Sequence, residues 1–595
     1  MSVCKLMIKL FFITAINLIF CLSSFAGEDY TLEKIVITGN SSNERTQNYP
    51  AETFSSKDIQ EKNLNSTPDI LRYSSGVDLR YRGTSGVQGD LSIRGSTYEQ
   101  VAVLIDGIKI NDLQTGHHNL DIPLTNMDIE KIAVIKQGSS SFYGAGALSG
   151  SINITVKKPL KKSASMEMLG GAHALYGQAF SCAMPGKDAS SSFSFEHKTS
   201  NGARPNTDFD YETYSYMFNK DWVDNSLDLV AGYQDKDFGA DSFYSNLYKE
   251  EEEHTNTLFL KTGLDTNLAS YDLKNSIFLR KHNDKFILNR NNPLFSQNTH
   301  TTYSYGIHSG VSLPVKYGYL ETGFEIARDT IDSTKLGKNT RMNEAYFLGF
   351  DPESGNKLEP SLRYRIDHFQ NWSYQNSYNA GLGYWLIDDK LKIKSSFSHS
   401  FRGPSFTELY YSDAANKGNS DLKVEKSDNY SLGFETNYNN TPIACDVFLR
   451  KVKNLIDYTR LTVNDVWQAT NLGSVDFKGV DLRAGPLSYT YMEADRSASG
   501  FLSKYALDIL KHQLMLNLNR DIKIIKIGLH LSYNERKFGE TYFIGNVSFS
   551  KAFQNKEASI EPFIKIDNFT DTDYSEVAGV IQPGRWIHGG VKINW

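Results

Sequence analysis

The segment LKIKSSFSHSF, residues 391–401, alternates between apolar and polar side chains over most of its length. Its apolar positions include Leu391, Ile393 and Phe397, and lysine or serine stands between them. Successive side chains of a β-strand point to opposite faces, so this period of two predicts a strand with one apolar and one polar face. The same alternation recurs in residues 303–313 and 525–533, and it dominates the chain from about residue 160 onward.

The composition favours a membrane barrel over a soluble sandwich. Aromatic residues make up 12% of the 595 residues, and glycine is abundant at 44. The second face of the strands is polar, whereas a sandwich would also need an apolar core between its sheets. The mature sequence offers no spanning helix, and a closed barrel is the other fold that satisfies backbone groups in lipid. We therefore predict an all-β transmembrane barrel of about 22 antiparallel strands over residues 159–595.

The N-terminus carries an apolar run, residues 10–20, that follows two lysines and precedes the small-residue motif SFA at 24–26. This pattern predicts a secretory signal peptide, residues 1–26. The run is shorter than the roughly 18 apolar residues that a spanning helix needs. After cleavage Cys182 and Cys445 remain, and they either pair in an oxidising compartment or stay as buried thiols.

Residues 46–158 carry helix signals and short apolar runs instead of long alternation. Thr67 is suited to cap a helix that begins at Pro68 and ends before Gly76. We expect buried strands at three apolar runs bounded by glycines, 101–105, 132–135 and 152–156. The pattern predicts a compact α/β domain with its own core, preceded by a leader over residues 27–45.

Five segments of this domain resemble the plug of the TonB-dependent receptors, in that family's order and approximate spacing. They are LSIRG at 91–95, VLIDGI at 103–108, IEKI at 129–132, SFYG at 141–144 and GSINI at 150–154. The barrel segments FRGP at 401–404, GNSDLKVE at 418–425 and NFTD at 568–571 are similar to that family's barrel. The chain departs from the pattern at Gln137-Gly138-Ser139, where a Gly-Pro pair is more usual, and at Ser149. The resemblance implies a plug inside the barrel lumen and import across the outer membrane of a Gram-negative bacterium.

The leader contains a segment that resembles the TonB box of this family. Its residues are Glu33, Lys34, Ile35, Val36, Ile37, Thr38 and Gly39. A short β-prone segment on a flexible leader can add as a strand to the sheet edge of a partner. The resemblance implies that the partner is TonB with its inner-membrane energising complex. An ordinary leading strand of the plug would show the same sequence.

The last strand ends on Trp595, with Ile587, Val591 and Ile593 on the same face. An aromatic residue at the C-terminus of an apolar face resembles the signal by which the barrel-assembly machinery recognises outer-membrane barrels. The alternative is an ordinary amphipathic strand that ends the chain. The predicted surroundings are outer-membrane lipid, and we expect a monomer.

The resemblance is closest to the cobalamin receptors, and ferric-siderophore receptors share the motifs quoted above. A small metal-complex ligand is therefore expected, and plug loops that face outward should contact it. The predicted ligand-binding residues are Tyr81, Arg82, Gln88, Gln114, His117 and His118. The charged residues predicted to contact the barrel wall from the plug are Arg94, Asp106, Glu130 and Lys131.

An acidic stretch in the barrel is a candidate calcium site. It comprises Asp235, Asp237 and Asp241, followed by the glutamate run 250–253. Oxygen-rich clusters suit Ca²⁺, and calcium-ordered loops occur in cobalamin receptors, but a solvated acidic face gives the same pattern. We expect no required cofactor.

Two other classes remain open from sequence. A passive porin is disfavoured because a domain of about 130 residues precedes the barrel and would block it. An outer-membrane enzyme is disfavoured because the chain offers no nucleophile motif in its structural context. The net charge of -6 gives no indication of nucleic-acid binding.

Overall fold

Two nested units form the protein in the computed structural model, which describes residues 48–244, 247–268, 271–353, 356–496 and 500–595. The outer unit is a closed antiparallel barrel of 22 strands over these described residues, and the inner unit is the plug. The predicted all-β barrel with an internal α/β plug is confirmed. The signal peptide, the leader 27–45 and the TonB box at 33–39 lie outside the described residues.

The plug sheet has the order β1, β6, β7, β4, β5, and β2 and β3 form a separate hairpin. Its core contains Val101, Val103, Ile105, Val134 and Ile152, which are all buried. The three apolar runs predicted as strands are strands. The plug strands are β1 (Ala51–Ser55), β2 (Val77–Tyr81), β3 (Gly89–Ile93), β4 (Val101–Ile105), β5 (Ile108–Lys109), β6 (Ile129–Ile135) and β7 (Gly150–Val156).

The helices of the described ranges are short, and none has the length and apolar content needed to cross a membrane. Ser55 caps the first helix, because its hydroxyl accepts from the Asp58 amide while the Asp58 carboxylate accepts from the Ser55 amide. The predicted helix at Thr67 is a 3₁₀ turn capped by Ser66. The helices are α1 (Ser56–Glu61), α2 (Ser140–Tyr143) and α3 (Phe406–Tyr410), with 3₁₀ turns at Thr67–Tyr73, Tyr98–Gln100, Gly116–His118 and Asn126–Asp128.

Each barrel strand pairs with the strand before it, and the last pairs with the first. The strands are β8 (Ser163–Gly171), β9 (Leu175–Pro185), β10 (Ala189–Ser200), β11 (Phe209–Trp222), β12 (Asn225–Gly239), β13 (Glu252–Leu268), β14 (Tyr271–Ile287), β15 (Gln297–Val315), β16 (Gly318–Ser333), β17 (Gly337–Pro352), β18 (Leu358–Phe369), β19 (Ser373–Ile387), β20 (Leu391–Arg402), β21 (Glu425–Tyr438), β22 (Thr441–Lys453), β23 (Ser474–Ala484), β24 (Leu487–Arg496), β25 (Leu510–Ile522), β26 (Ile525–Arg536), β27 (Thr541–Ser550), β28 (Ser559–Asp567) and β29 (Trp586–Asn594).

Seven short strands accompany the 22 barrel strands and the plug strands in the described residues. They are Asn416–Lys417, Ile456–Arg460, Trp467–Asn471, Leu502–Ser503, Phe553–Gln554, Ser575–Val577 and Val580–Ile581. Four of them pair into one small sheet, which joins the β20–β21, β22–β23 and β24–β25 connections. In outer-membrane barrels the longer connections are extracellular and the short turns are periplasmic. This small sheet therefore lies at the extracellular mouth.

The alternation of residues 391–401 gives β20 a polar face toward the lumen and an apolar face toward the outside, as predicted. Lys392 and Lys394 are buried in the lumen, while Ile393 faces outward and is 36% exposed. Other outward positions carry a band of tyrosines, among them Tyr214, Tyr233, Tyr305, Tyr346, Tyr378 and Tyr430. Cys182 on β9 and Cys445 on β22 are free thiols.

The C-terminus closes the barrel. The Trp595 amide donates to the Ala164 carbonyl at 2.8 Å, and the Ala164 amide donates back to the Trp595 carbonyl at 3.2 Å. Its indole is 53% exposed on the outer face. The assembly role of Trp595 stays a prediction.

Gly232 on β12 is a point where the barrel wall leaves no room for a side chain against the plug. A Cβ at this position would lie 2.2 Å from the carbonyl oxygen of Pro123 in the plug. We expect Gly232→Ala to push the plug from the wall and destabilise its docking by about 1–3 kcal/mol. Limited proteolysis in increasing urea, with plug cleavage as the signal, measures this loss. The matched control is Gly310→Ala on β15, where the nearest atom would be 3.4 Å away; equal losses in the two variants would refute the explanation.

Candidate ligand site and plug–barrel interface

Two plug loops reach the extracellular mouth of the barrel. The first, residues 82–88, joins β2 to β3, and the Gln88 side chain donates to the Tyr244 hydroxyl at 2.7 Å in the β12–β13 connection. The second, residues 110–128, joins β5 to β6. Its Gln114 carbonyl accepts from the Thr407 amide at 3.1 Å in the β20–β21 connection. These contacts place both loops directly beneath the extracellular connections.

Asp90 joins the two plug loops. Its carboxylate accepts from Arg82 Nη2 at 2.9 Å and contacts His117 Nδ1 at 2.5 Å. Burial alone would raise the pKa of Asp90, but Arg82 and His117 hold it below its usual range. Burial lowers the pKa of His117 in spite of Asp90. A neutral His117 therefore donates its Nδ1 proton to an ionised Asp90.

Tyrosine rings surround His117 on the outward side. We call Tyr98, Tyr244, Tyr458 and Tyr505 the aromatic patch. Ring centroids lie 4.3 Å apart for His117 and Tyr98, 6.0 Å for His117 and Tyr244, and 5.6 Å for Tyr98 and Tyr505. Tyr244 is 39% exposed and Tyr98 and Tyr505 are half-buried, whereas Tyr458 is buried and contributes to the patch through its contact with Tyr505. Tyrosine offers a broad apolar face and a polar rim, which suits a binding surface.

The charges beside the aromatic patch are largely neutralised. Burial and the nearby Glu408 carboxylate raise the pKa of Glu99 to about 8, so Glu99 is mostly protonated at neutral pH. The cations that stack on patch rings are Arg82, over Tyr244, and Lys504, over Tyr505 at 5.2 Å. Arg82 is already paired with Asp90. The patch is therefore an aromatic surface of low net charge.

The remaining loop residues contact the wall. Gln114 Nε2 donates to Asp284 at 2.8 Å, and His118 Nε2 lies 3.5 Å from Glu253 and 3.7 Å from Asp284. Burial alone would lower the pKa of His118, but Asp121, Asp284 and Glu253 raise it well above its ordinary value.

Five of the six predicted ligand-binding residues thus lie in one polar network: Arg82, Gln88, Gln114, His117 and His118. All six are buried, whereas the sequence predicted an outward-facing loop surface. Tyr81 lies apart from them, where its hydroxyl donates to Asp69 at 2.7 Å. It lines a cavity of about 150 Å³ between the plug and the β25–β28 wall. The outward surface is instead the aromatic patch, whose tyrosines come from three distant barrel connections and one plug turn.

Arg94 connects the plug to the wall through a buried ion pair. Its guanidinium contacts Asp481 on β23 at 2.5 Å, donates to the Lys136 carbonyl at 2.9 Å and lies 4.3 Å from the Phe448 ring centroid. Arg450 on β22 donates to the Arg94 carbonyl at 2.9 Å. The wall therefore binds Arg94, which follows β3, through both its side chain and its backbone carbonyl.

The other charges predicted to contact the wall differ in their surroundings. Asp106 lies 3.8 Å from Lys261 on β13 and accepts from the Val156 amide at 3.0 Å. Glu130 is exposed, and Lys131 is half-buried on β6. Arg94 and Asp106 therefore both reach the wall through ion pairs.

Further ion pairs between plug and wall were not anticipated from sequence. Asp78 pairs with Arg536 at 2.7 Å, Arg72 with Glu576 at 2.6 Å, Asp112 with Arg280 at 2.8 Å, and Asp121 with Lys236. Alternation marks Arg536, Arg280 and Lys236 as lumen-facing charges of the wall, whereas Glu576 lies in the β28–β29 connection. It cannot identify their plug partners, which lie hundreds of positions away.

The predicted calcium ligands do not converge. Asp235 accepts from the Tyr233 hydroxyl at 2.7 Å on the outer face of β12, and Asp237 contacts His254 on the same face. Asp241 pairs with Arg204 at 2.8 Å. The clusters of metal-ligating groups within the described ranges both contain His118 and none of these aspartates. The geometry therefore gives the calcium hypothesis no support.

The sequence of each unit, the barrel and the plug, matches the model of a known protein family. The barrel of TonB dependent receptor-like proteins matches residues 171–578, and the TonB-dependent receptor plug domain matches residues 43–151. The vitamin B12 transporter BtuB of Vibrio cholerae is 25% identical over 517 residues, covering 83% of this chain and 79% of its own. That of Photobacterium profundum is 23% identical over 513 residues, covering 80% and 81%.

Solved structures share the fold at lower identity. The siderophore receptor PirA from Acinetobacter baumannii superposes with a TM-score of 0.75 at 14% identity, covering 92% of this chain and 98% of its own. The FrpB iron transporter from Neisseria meningitidis gives 0.76 at 12% identity, covering 93% and 100%. At these identities the likeness concerns the fold alone.

We expect the Arg94–Asp481 pair to control plug docking. Removing one partner of a buried ion pair leaves an uncompensated charge and costs about 3–5 kcal/mol. Arg94→Leu and Asp481→Asn should each lower the urea concentration at which the plug becomes protease-sensitive. The double variant should lose less than the sum of the two.

The control for this comparison of single and double variants is the exposed pair Lys478–Asp495 on β23 and β24, whose charged atoms lie 3.0 Å apart. Lys478→Ala should leave plug docking unchanged, because exposed ion pairs contribute little. Strict additivity of the Arg94 and Asp481 effects would show that the pair does not hold the plug.

Proposed function

The chain belongs to the family of TonB-dependent receptors, and from this membership we propose that it imports a cobalamin or related corrinoid across the outer membrane with energy supplied through TonB. It is an outer-membrane protein of Gram-negative bacteria. The family consists of receptors and transporters rather than enzymes.

The observation that carries the proposal is a lumen filled by a plug that is ion-paired to the wall. Arg94, Asp78 and Arg72 hold the plug to strands β23 and β26 and to the β28–β29 connection. A porin needs an open aqueous lumen, so a barrel whose lumen is filled is not suited to passive diffusion of a solute. Passage of a ligand requires the plug to rearrange, and that rearrangement requires energy.

The first plug strand is suited to receive that energy. β1 is the first strand after the leader, and within the described residues it forms the edge of the plug sheet. It pairs there with β6 through five residue pairs, Ala51 with Ile135 to Ser55 with Lys131. A pull by TonB on residues 33–39 would load β1 before any other strand. An edge strand can separate without disrupting the rest of the sheet, so the plug can open while its core stays folded.

Two observations favour a corrinoid over an anionic ferric siderophore. The relatives from Vibrio cholerae and Photobacterium profundum are both named vitamin B12 transporters. The aromatic patch is broad and its net charge is small, because Glu99 is protonated, Arg82 is paired and Lys504 adds a single positive charge. A strongly anionic iron complex would be expected to require more unpaired cations.

Energy coupling is tested by deletion of residues 33–39. We expect radiolabelled cyanocobalamin to bind to cells that carry the variant without being accumulated, because the strand offered to TonB is gone. The control replaces NSSN at 40–43 with Gly-Ser-Gly-Ser, which keeps the segment and the leader length. Accumulation that survives the deletion would contradict coupling through this segment.

Ligand identity is tested by competition between cyanocobalamin and a panel of ferric siderophores on the purified receptor. We expect the corrinoid to bind and the iron complexes not to displace it. Tight binding of an iron complex without corrinoid binding would replace the proposal with ferric-siderophore import.

The aromatic patch is tested in the same assay. Tyr98→Ala and Tyr505→Ala should each weaken corrinoid binding by about tenfold or more. Each removes an aromatic side chain whose burial against the ligand contributes roughly 1–3 kcal/mol to the binding free energy. Tyr346→Ala, on the lipid face and 61% exposed, should have no effect. Unchanged affinity in both patch variants would place the ligand elsewhere.

A further inference from the structure

Three buried metal-ligating side chains converge where the second plug loop meets the wall. His118 Nδ1 lies 3.5 Å from Asp121 Oδ2, and His282 Nε2 on β14 lies 3.9 Å from the same oxygen. One donor atom from each of the three residues lies within 4.8 Å of the other two. All three side chains are at most 3% exposed.

These separations are long for hydrogen bonds and suitable for ligands of a shared ion. Bonds of about 2.0–2.1 Å in a tetrahedral site place ligand atoms roughly 3.3 Å apart. Asp121 Oδ2 and His282 Nε2 also have no hydrogen-bond partner within the described part of the chain. Two buried polar atoms therefore point at one another without making a bond.

The opposite atom of each ligand is held by a neighbour. His282 Nδ1 is hydrogen-bonded to Thr257 Oγ1 at 2.8 Å, and the other Asp121 oxygen accepts from Lys236. His118 Nε2 faces Glu253 and Asp284, as described above. Histidine ligands of metals characteristically have their second nitrogen fixed in this way.

With His118 in the neutral form that a metal ligand requires, the local charge is short of two positive charges. Three carboxylates, from Asp121, Glu253 and Asp284, surround His118, and Lys236 supplies the one cation in contact with them among the described residues. The next carboxylate, Asp112, is paired with Arg280. A divalent cation or two protons would balance the cluster.

We propose that His118, Asp121 and His282 bind a divalent transition-metal cation of the zinc class. Two imidazoles and one carboxylate form a ligand set suited to Zn²⁺ or Co²⁺, whereas Ca²⁺ and Mg²⁺ prefer oxygen ligands throughout. The fourth position is available to water. The site binds the cation itself, and it is independent of the corrinoid proposed above.

The experiment uses the purified full-length receptor, treated with EDTA and dialysed, then titrated with Co²⁺ and with Zn²⁺ as competitor. We expect one equivalent of Co²⁺, with the visible absorption of a low-symmetry four-coordinate site, displaced by one equivalent of Zn²⁺. His118→Gln and His282→Gln should weaken binding by about 100-fold or more, because each removes a ligand.

Two matched controls retain the site. His117→Gln changes the neighbouring plug histidine, which pairs with Asp90, and His530→Gln changes another buried wall histidine, which contacts Asn517. Both should bind one equivalent. Zn²⁺ should raise the melting temperature of the wild type and the controls but not of the two ligand variants, and His282→Gln alone suffices if His118→Gln does not fold.

Two results would overturn the proposal. The first is that the wild type binds neither Co²⁺ nor Zn²⁺ stoichiometrically. In that case protons, and not a metal cation, balance the carboxylates of the cluster. The second is equal affinity in the wild type and in folded His282→Gln, which would place the cation elsewhere.

Discussion

Charge pairing across the plug–wall interface is the constraint on which the rest of this structure depends. The lumen faces of the strands are polar, and the plug that fills them carries charges of its own, so the interface buries ionic groups from both sides. A buried charge is tolerated only when it is paired and hydrogen-bonded. Asp78 with Arg536 and Arg94 with Asp481 satisfy this requirement between residues hundreds of positions apart. Water can satisfy such charges when the interface separates, but the wall residues Met217, Val230 and Phe259 pack on the plug core, so separation also exposes some apolar surface.

The barrel could be predicted from sequence because its signal is local and repeated. Each strand carries its own alternation, so residues 391–401 alone specify which side chains face the lumen, and Lys392 and Lys394 do so. The short apolar runs of the plug were equally local. The helix at Thr67 was predicted less well, because Ser66 and Asp69 form the cap one position earlier and the turn is 3₁₀.

The site could be predicted only in part, for a physical reason. Sequence identifies polar residues of a loop but not what packs over them, and Arg82, Gln88 and His117 are covered by Asp90, Tyr244 and Tyr505. The aromatic patch was missed because its members come from four separate connections. The three aspartates predicted to bind calcium do not converge. Alternation directs Asp235 and Asp237 on β12 to the outer face, while Asp241 lies in the following connection.

The proposed metal site links ligand chemistry to the position of the plug. Two of its ligands, His118 and Asp121, belong to the plug, and the third, His282, belongs to the wall. A cation bound by all three joins the second plug loop to β14, and any movement of that loop away from the wall removes at least one ligand. Metal affinity must then fall when the plug opens, and by linkage the bound cation must favour the closed plug by the same factor. The second plug loop also carries His117 beneath the aromatic patch, so a ligand that shifts this loop would act on the cation through the 3₁₀ turn Gly116–His118, which contains both histidines.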